Sequence, residues 1–182
     1  MALPTTWTNP TGEEQAVGAI IPAIRFNKIL GNLLKLGGTT GIVPACRATA
    51  SAAQSIANAT LTMVSFDTED FDTDTIHDPT TNNTRLTCKT AGTYLIVGGV
   101  TVAANATGVR GISIKKNNTS YLGYGTPGNA GAGIQTSGGV IAMAALSVND
   151  YVELEFYQSS GGALYSDRIA GAAPTFGMAR VA

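Results

Sequence analysis

The sequence predicts an all-β protein, an antiparallel jelly-roll sandwich over residues 45–182, preceded by an extended arm and one short amphipathic helix. Three observations predict it. From Ala45 onward the hydrophobic residues alternate with period two. Turn pairs such as Asp78-Pro79, Asn82-Asn83, Ala91-Gly92, Asn117-Asn118, Asn149-Asp150 and Gly161-Gly162 recur between the apolar runs, and no convincing second helix interrupts them. Eight or more short strands at this spacing, without alternating helices, bury their apolar faces by stacking two sheets.

The N-terminal elements come first. Residues 1–21 lack periodicity and are rich in Thr and Pro, with Trp7 and Glu13-Glu14 standing out before Ile20-Ile21, so they read as an extended arm. Pro22 occupies the place of a first helical residue, where its missing N–H costs nothing. Phe26, Ile29, Leu30, Leu33 and Leu36 then share one helical face, while Arg25, Lys28, Asn32 and Lys35 share the other. Gly37-Gly38 stops the helix, because glycine reaches the left-handed conformation of a C-cap. A helix of about this length is marginal alone in water, so its apolar face needs a body to pack on. Residues 1–44 are therefore arm, helix (about 22–36) and glycine-rich linker, and residues 45–182 are the head.

Within the head, strands are expected at Leu61–Met63, Val64–Phe66, Arg85–Cys88, Tyr94–Val102, Val109–Lys115, Gly139–Leu146, Tyr151–Tyr157 and Thr175–Val181. In Tyr151–Tyr157, Val152, Leu154 and Phe156 share one parity and Glu153 and Glu155 the other, which predicts a strand with one wet face. In Tyr94–Val102 neither parity is polar, so both faces need a cover. A two-layer sandwich covers one. A second subunit is the expected cover for the other, with Tyr94, Ile96 and Val100 at the seam; a helix or arm folding back would serve as well.

Composition narrows the function classes. The chain has 182 residues, 44% hydrophobic and 13% charged, with a formal net charge of −1, one His and two Cys. Charged residues in ordinary soluble domains run to about twice that share. A near-neutral chain lacks the Lys and Arg surplus that nucleic acid demands, and no run of about 20 apolar residues predicts a membrane span. The N-terminus has neither a basic cap nor an apolar stretch before a cleavage site, so no signal peptide is expected and the mature chain is expected to begin at Met1. Cys46 and Cys88 read as buried thiols acting as small hydrophobes.

His77 is the one imidazole and lies in an acidic, turn-rich stretch, where a solvated loop histidine is expected; no Gly-x-Ser-x-Gly elbow is present. Asp70-x-Asp72-x-Asp74 opens like a calcium loop, but Thr75 replaces the glycine and Thr81 the closing glutamate. These three aspartates are the only metal candidates, and a solvated acidic loop is the expectation. Gly123-Tyr124-Gly125-Thr126-Pro127-Gly128 formally fits a dinucleotide motif, yet Asn129-Ala130-Gly131 cannot start the required helix. A long glycine-rich loop to Gly139 and no cofactor are expected. Tyr121, Tyr124, Tyr157 and Tyr165 are the surface aromatics suited to contacting a sugar or protein receptor. Glu153 and Glu155 are the carboxylate pair that an enzyme would use.

Two stretches resemble known families. Val64-Ser65-Phe66-Asp67, Phe71-Asp72, Leu86–Ile96 with its Gly92-Thr93-Tyr94 step, Ile112–Asn117, Leu146–Leu154 and Phe176-Gly177 stand in the order and spacing of the trimeric complement-type jelly roll (C1q/TNF-like). The likeness spans about residues 45–182. It departs from the pattern where Asn118 and Asn149 replace glycine, which Asn tolerates because it enters left-handed turns. Some members bridge the position of Cys88 to the strand after the central one, but Val109–Lys115 holds no cysteine and no bridge is expected. The N-terminal 36 residues, with Trp7, Ala19-Ile20, Phe26-Asn27 and Asn32-Leu33, resemble the opening of short tailed-phage virion proteins.

These resemblances imply a non-enzymatic phage virion protein on the particle exterior. In that reading a homotrimeric head is anchored to other virion proteins through Trp7, Phe26, Asn27, Leu30 and Leu33, and contributes to binding a host-surface glycan or protein. The alternatives are a capsid decoration protein and a lectin-like binding module.

Overall fold

A computed structural model describes residues 42–128, 133–166 and 173–182. The expected arm, the expected helix of residues 22–36 and the five docking residues lie outside the described residues. Pro44–Ala182 forms one compact unit.

Its strands are β1 (Ala45–Thr49), β2 (Ser55–Ile56), β3 (Thr62–Met63), β4 (Thr68–Asp72), β5 (Arg85–Thr87), β6 (Gly92–Val102), β7 (Arg110–Lys116), β8 (Ser120–Gly125), β9 (Thr136–Leu146), β10 (Tyr151–Gln158), β11 (Leu164–Tyr165) and β12 (Thr175–Arg180). One sheet runs β4-β1-β12-β6-β9. The other runs β3-β10-β7-β8, with β5 also pairing β10, and β11 pairs β2 in a small ribbon. Every strand pair is antiparallel.

Alternation decides which residues fill the space between the sheets. From the first sheet come Cys46 and Ala48, Tyr94, Ile96 and Val100, Val140 and Ala142, Phe176 and Met178; Ile112, Ile114, Val152, Leu154 and Phe156 come from the second, and all are buried. Phe66 and Phe176 stack with ring centroids 5.7 Å apart. Gly98 lets the layers touch: a β-carbon there would lie 2.4 Å from a methyl of the fully buried Leu154.

Two turns between the long strands carry left-handed asparagines. Asn117 and Asn118 have φ of 50° and 53°, which joins β7 to β8 by a tight hairpin turn, and Asn149 has φ of 72° between β9 and β10. The substitution of Asn for the glycine of the C1q/TNF-like pattern is therefore accommodated in place.

The structure corrects several expectations. Tyr94, Ile96 and Val100 are not at a subunit seam; they point inward, and the outward parity of β6 is Leu95, Val97 and Gly99. Period-two analysis separates the two faces but does not say which one faces home. The acidic stretch is not a loop throughout, since Thr68–Asp72 is an edge strand beside β1, with a register shift at Arg47/Ala48. Charge on an edge strand discourages pairing with foreign strands. Gly123–Gly125 belong to β8 rather than to a long loop. A β-carbon on Gly123 would come 3.0 Å from the Ile141 carbonyl oxygen, so glycine is used here for close approach between layers.

Candidate functional site

The outer face of the first sheet is apolar. Leu95 and Val97 on β6 lie opposite Met143 and Ile141 on β9, while Ala179 and Gly177 of β12 flank them on the other side. Ile141 is 67% and Met143 65% exposed, and Val97, Leu95 and Phe71 are also open to solvent. At Gly177 the face dips into a groove of about 270 Å³ lined by Phe71, Leu95, Val97 and Ala179. Contiguous apolar surface of this kind marks an interaction site.

The outer face of the second sheet is organised by β10. Glu153 and Glu155 do not face water as expected; both are buried by side chains laid across them from neighbouring strands. Arg85 Nε and the Thr84 hydroxyl donate to Glu153 Oε1 at 3.0 and 2.8 Å, and Lys115 Nζ and the Ser113 hydroxyl donate to Glu155 at 3.3 and 3.1 Å. The registers Glu153↔Arg85, Glu153↔Lys115 and Glu155↔Ser113 place these partners side by side. With both carboxylates consumed by structural contacts, neither is arranged as a free acid or base.

Tyrosines border this charged ladder. Tyr121 lies beside Lys115, whose Nζ is 5.3 Å from its ring centroid, and Tyr124 is 69% exposed. Tyr124 and the half-buried Tyr157 share a cleft of about 410 Å³ with Val109, Arg110 and Pro127. Three of the four receptor candidates are thus brought to one face. Tyr165 is exposed but sits apart, on β11 opposite Ser55.

The three metal candidates are not gathered. Asp70 pairs with Arg47, and Asp72 accepts the backbone N–H groups of Asp74 and His77 at 3.0 and 2.8 Å. Asp74 Oδ2 is buried without a hydrogen-bond partner, and among the described residues no three His, Cys, Asp or Glu side chains converge. His77 is not a solvated loop residue either. Its side chain is fully buried, with Nδ1 3.0 Å from Glu69 Oε1 and Nε2 3.4 Å from the Asn83 carbonyl oxygen. The residue pairs with Leu86 in an isolated bridge, which draws it under the β4–β5 connection. Cys46 and Cys88 are buried and unbridged. Burial pushes both thiols up, and Asp72 and Glu69 add to the effect at Cys46.

A third recess, of about 360 Å³, has no signal in the sequence. It opens between the β4–β5 connection and the β9–β10 turn, where Asp78, Asn82, Arg85, Lys89, Asn149 and Tyr151 converge. Arg85 lies 4.0 Å over the Tyr151 ring while its Nε serves Glu153. The backbone N–H groups of Thr81 and Thr80 hold the Asp78 carboxyl below its ordinary range. Thr75, Asn82 and Asn149, all on the lining, have positive φ. The asparagine pairs were legible as turns; that two turns 67 positions apart share one cavity was not, because only β10 pairing with β5 brings them together.

No protein-family model matches the chain, and no curated protein sequence does. Solved structures do match. The globular domain of the zebrafish complement 1qA protein superposes with a TM-score of 0.53 at 18% identity, over 76% of this chain and 98% of that one. Murine APRIL, in a crystal structure at pH 5.0, gives 0.54 at 10% identity, over 76% and 99%. The head has the C1q/TNF-like jelly-roll fold.

Proposed function

We propose that the chain is a non-enzymatic virion component of a tailed phage, a threefold head anchored by residues 1–44 and displaying a tyrosine-bearing face to the host surface. The observation that carries this reading is the solvent-open apolar face of the first sheet. Leu95, Val97, Ile141 and Met143 form a block that a soluble head keeps only if a second copy covers it. The fold supports three copies, since the C1q/TNF-like resemblance implies a trimer, and the Gly177 groove offers a recess for a neighbour's side chain. The phage assignment is supported by the resemblance of the first 36 residues. Three heads on one anchor bind a repeated receptor through avidity.

Sedimentation of the full chain tests the carrying observation. Three times the chain mass is expected at micromolar concentration, and Ile141→Glu is expected to give folded single chains. A folded monomer in the unsubstituted protein would overturn the reading. Adhesion to host cells that falls on Tyr124→Ala with the oligomer intact would support the role of the second face.

A further inference from the structure

We infer that the cavity between the β4–β5 connection and the β9–β10 turn binds an acidic sugar, a pyranose carrying a carboxylate. The inference deepens the reading of the head as a surface-binding module and rests on it for its biological setting, but its chemistry comes from the cavity alone.

The cationic side of the cavity is only partly used. Lys89 is exposed at the rim and forms no hydrogen bond or ion pair with the described residues. Arg85 spends Nε on Glu153 and its planar face on Tyr151, and neither contact engages its two terminal nitrogens. A carboxylate suits that arrangement, because charge-assisted hydrogen bonds from Lys and Arg are the strong ones. The same lining also carries groups suited to hydroxyls. Asp78 accepts at Oδ1 from two backbone N–H groups, leaving Oδ2 free of those contacts. The carboxyl stays ionised, and an ionised carboxylate can only accept, as it would from a sugar hydroxyl. Asn82 and Asn149 add amides that both donate and accept.

Two further features set the ligand class. A cavity of about 360 Å³ is far larger than an inorganic anion and matches one sugar ring with its substituents. The rim also mixes one carboxylate with two cations, which disfavours a compact, highly charged anion such as phosphate. Left-handed backbone at Thr75, Asn82 and Asn149 concentrates on this one lining, and for β-branched Thr75, with φ of 55°, that conformation is costly.

Titration of the full chain with sodium glucuronate, methyl glucoside, sodium acetate and sodium sulfate, followed by amide chemical shifts, tests the inference. Glucuronate is expected to saturate at millimolar concentration, moving the amides of Lys89, Asn149 and Thr81 but not those near Tyr124. Lys89→Met is expected to weaken it about tenfold, the loss of one charge-assisted bond. Lys89 is exposed, so that variant keeps its fold; Asn82→Ala provides a second, uncharged reading of the same site. Absence of saturation overturns the inference. So does equal binding of methyl glucoside, since the carboxylate would then be unread, and so does acetate or sulfate matching glucuronate, since the ring would be. An unchanged Lys89→Met affinity does the same. Saturation by glucuronate in a chain that sediments as a monomer or ignores host cells would sink the virion reading and leave the cavity standing.

Discussion

At Gly98 a single hydrogen separates a packed sandwich from a clash. The β-carbon of Gly98→Ala would come 2.4 Å from Leu154 Cδ1, and Leu154 is fully buried in the close-packed space between the sheets. The substitution is expected to destabilise by about 1–3 kcal/mol, read as a lower urea midpoint. Thr75 presents the opposite case. Its φ of 55° is unfavourable for a β-branched residue, so Thr75→Asn is expected to raise the midpoint, by roughly 1 kcal/mol of relieved strain. Glu153 and Glu155 mark the limit of what was legible at this scale. Their alternation with Val152, Leu154 and Phe156 named the correct outward parity, but burial came from Arg85 and Lys115 reaching across from other strands. Removing Glu155 leaves the largely buried Lys115 ammonium unpaired. Glu155→Ala is therefore expected to cost about 3 kcal/mol, and adding Lys115→Met to recover part of it.

Among elements, the two asparagine turns at one end of the second sheet are bolted together by Asp150. Its carboxylate accepts from the Ser147 backbone N–H at 2.8 Å and the Asn117 amide at 2.7 Å, and pairs with Lys116 at 2.8 Å. Lys116 and Asn117, with Ser147, lower its pKa to about 2. An unfolded aspartate titrates near about 3.9. The folded value is the lower, so the stabilisation is complete above the unfolded value and is lost as pH falls toward the folded one. Denaturant midpoints of the intact protein should drop between roughly pH 4 and pH 2, and Asp150→Asn should flatten that part of the curve. The long strands β6, β7, β9 and β10 were legible because each is an apolar or alternating run of seven or more residues bounded by turn signals. The edge elements were not. β4 hid beneath its own carboxylates, and β8 beneath glycines whose purpose depends on Ile141 of the facing sheet.

For the whole molecule, one demand could be read from Tyr94–Val102 alone: a strand apolar on both sides needs two covers. The inner cover is the second sheet. The residues placed at the outer one were of the wrong parity, because alternation is symmetric until a second layer breaks the symmetry, and only pairing with β9 and β12 makes Leu95 and Val97 the outward pair. If copies of the head cover that face, folding is linked to association, and the melting temperature should climb with protein concentration. In Ile141→Glu it should become independent of concentration. The polar cavity could not be foreseen in this way, since it joins Asp78 to Asn149 across a gap that no local pattern spans.

Both native thiols are sealed inside the sandwich, Cys46 on β1 and Cys88 after β5. Chemical tagging of the head is therefore a blank slate. A cysteine introduced at exposed Tyr165 would be the sole accessible thiol offered to a maleimide dye, giving one fluorophore per polypeptide. Stepwise photobleaching of single particles would then count copies directly, without disassembling whatever they are mounted on.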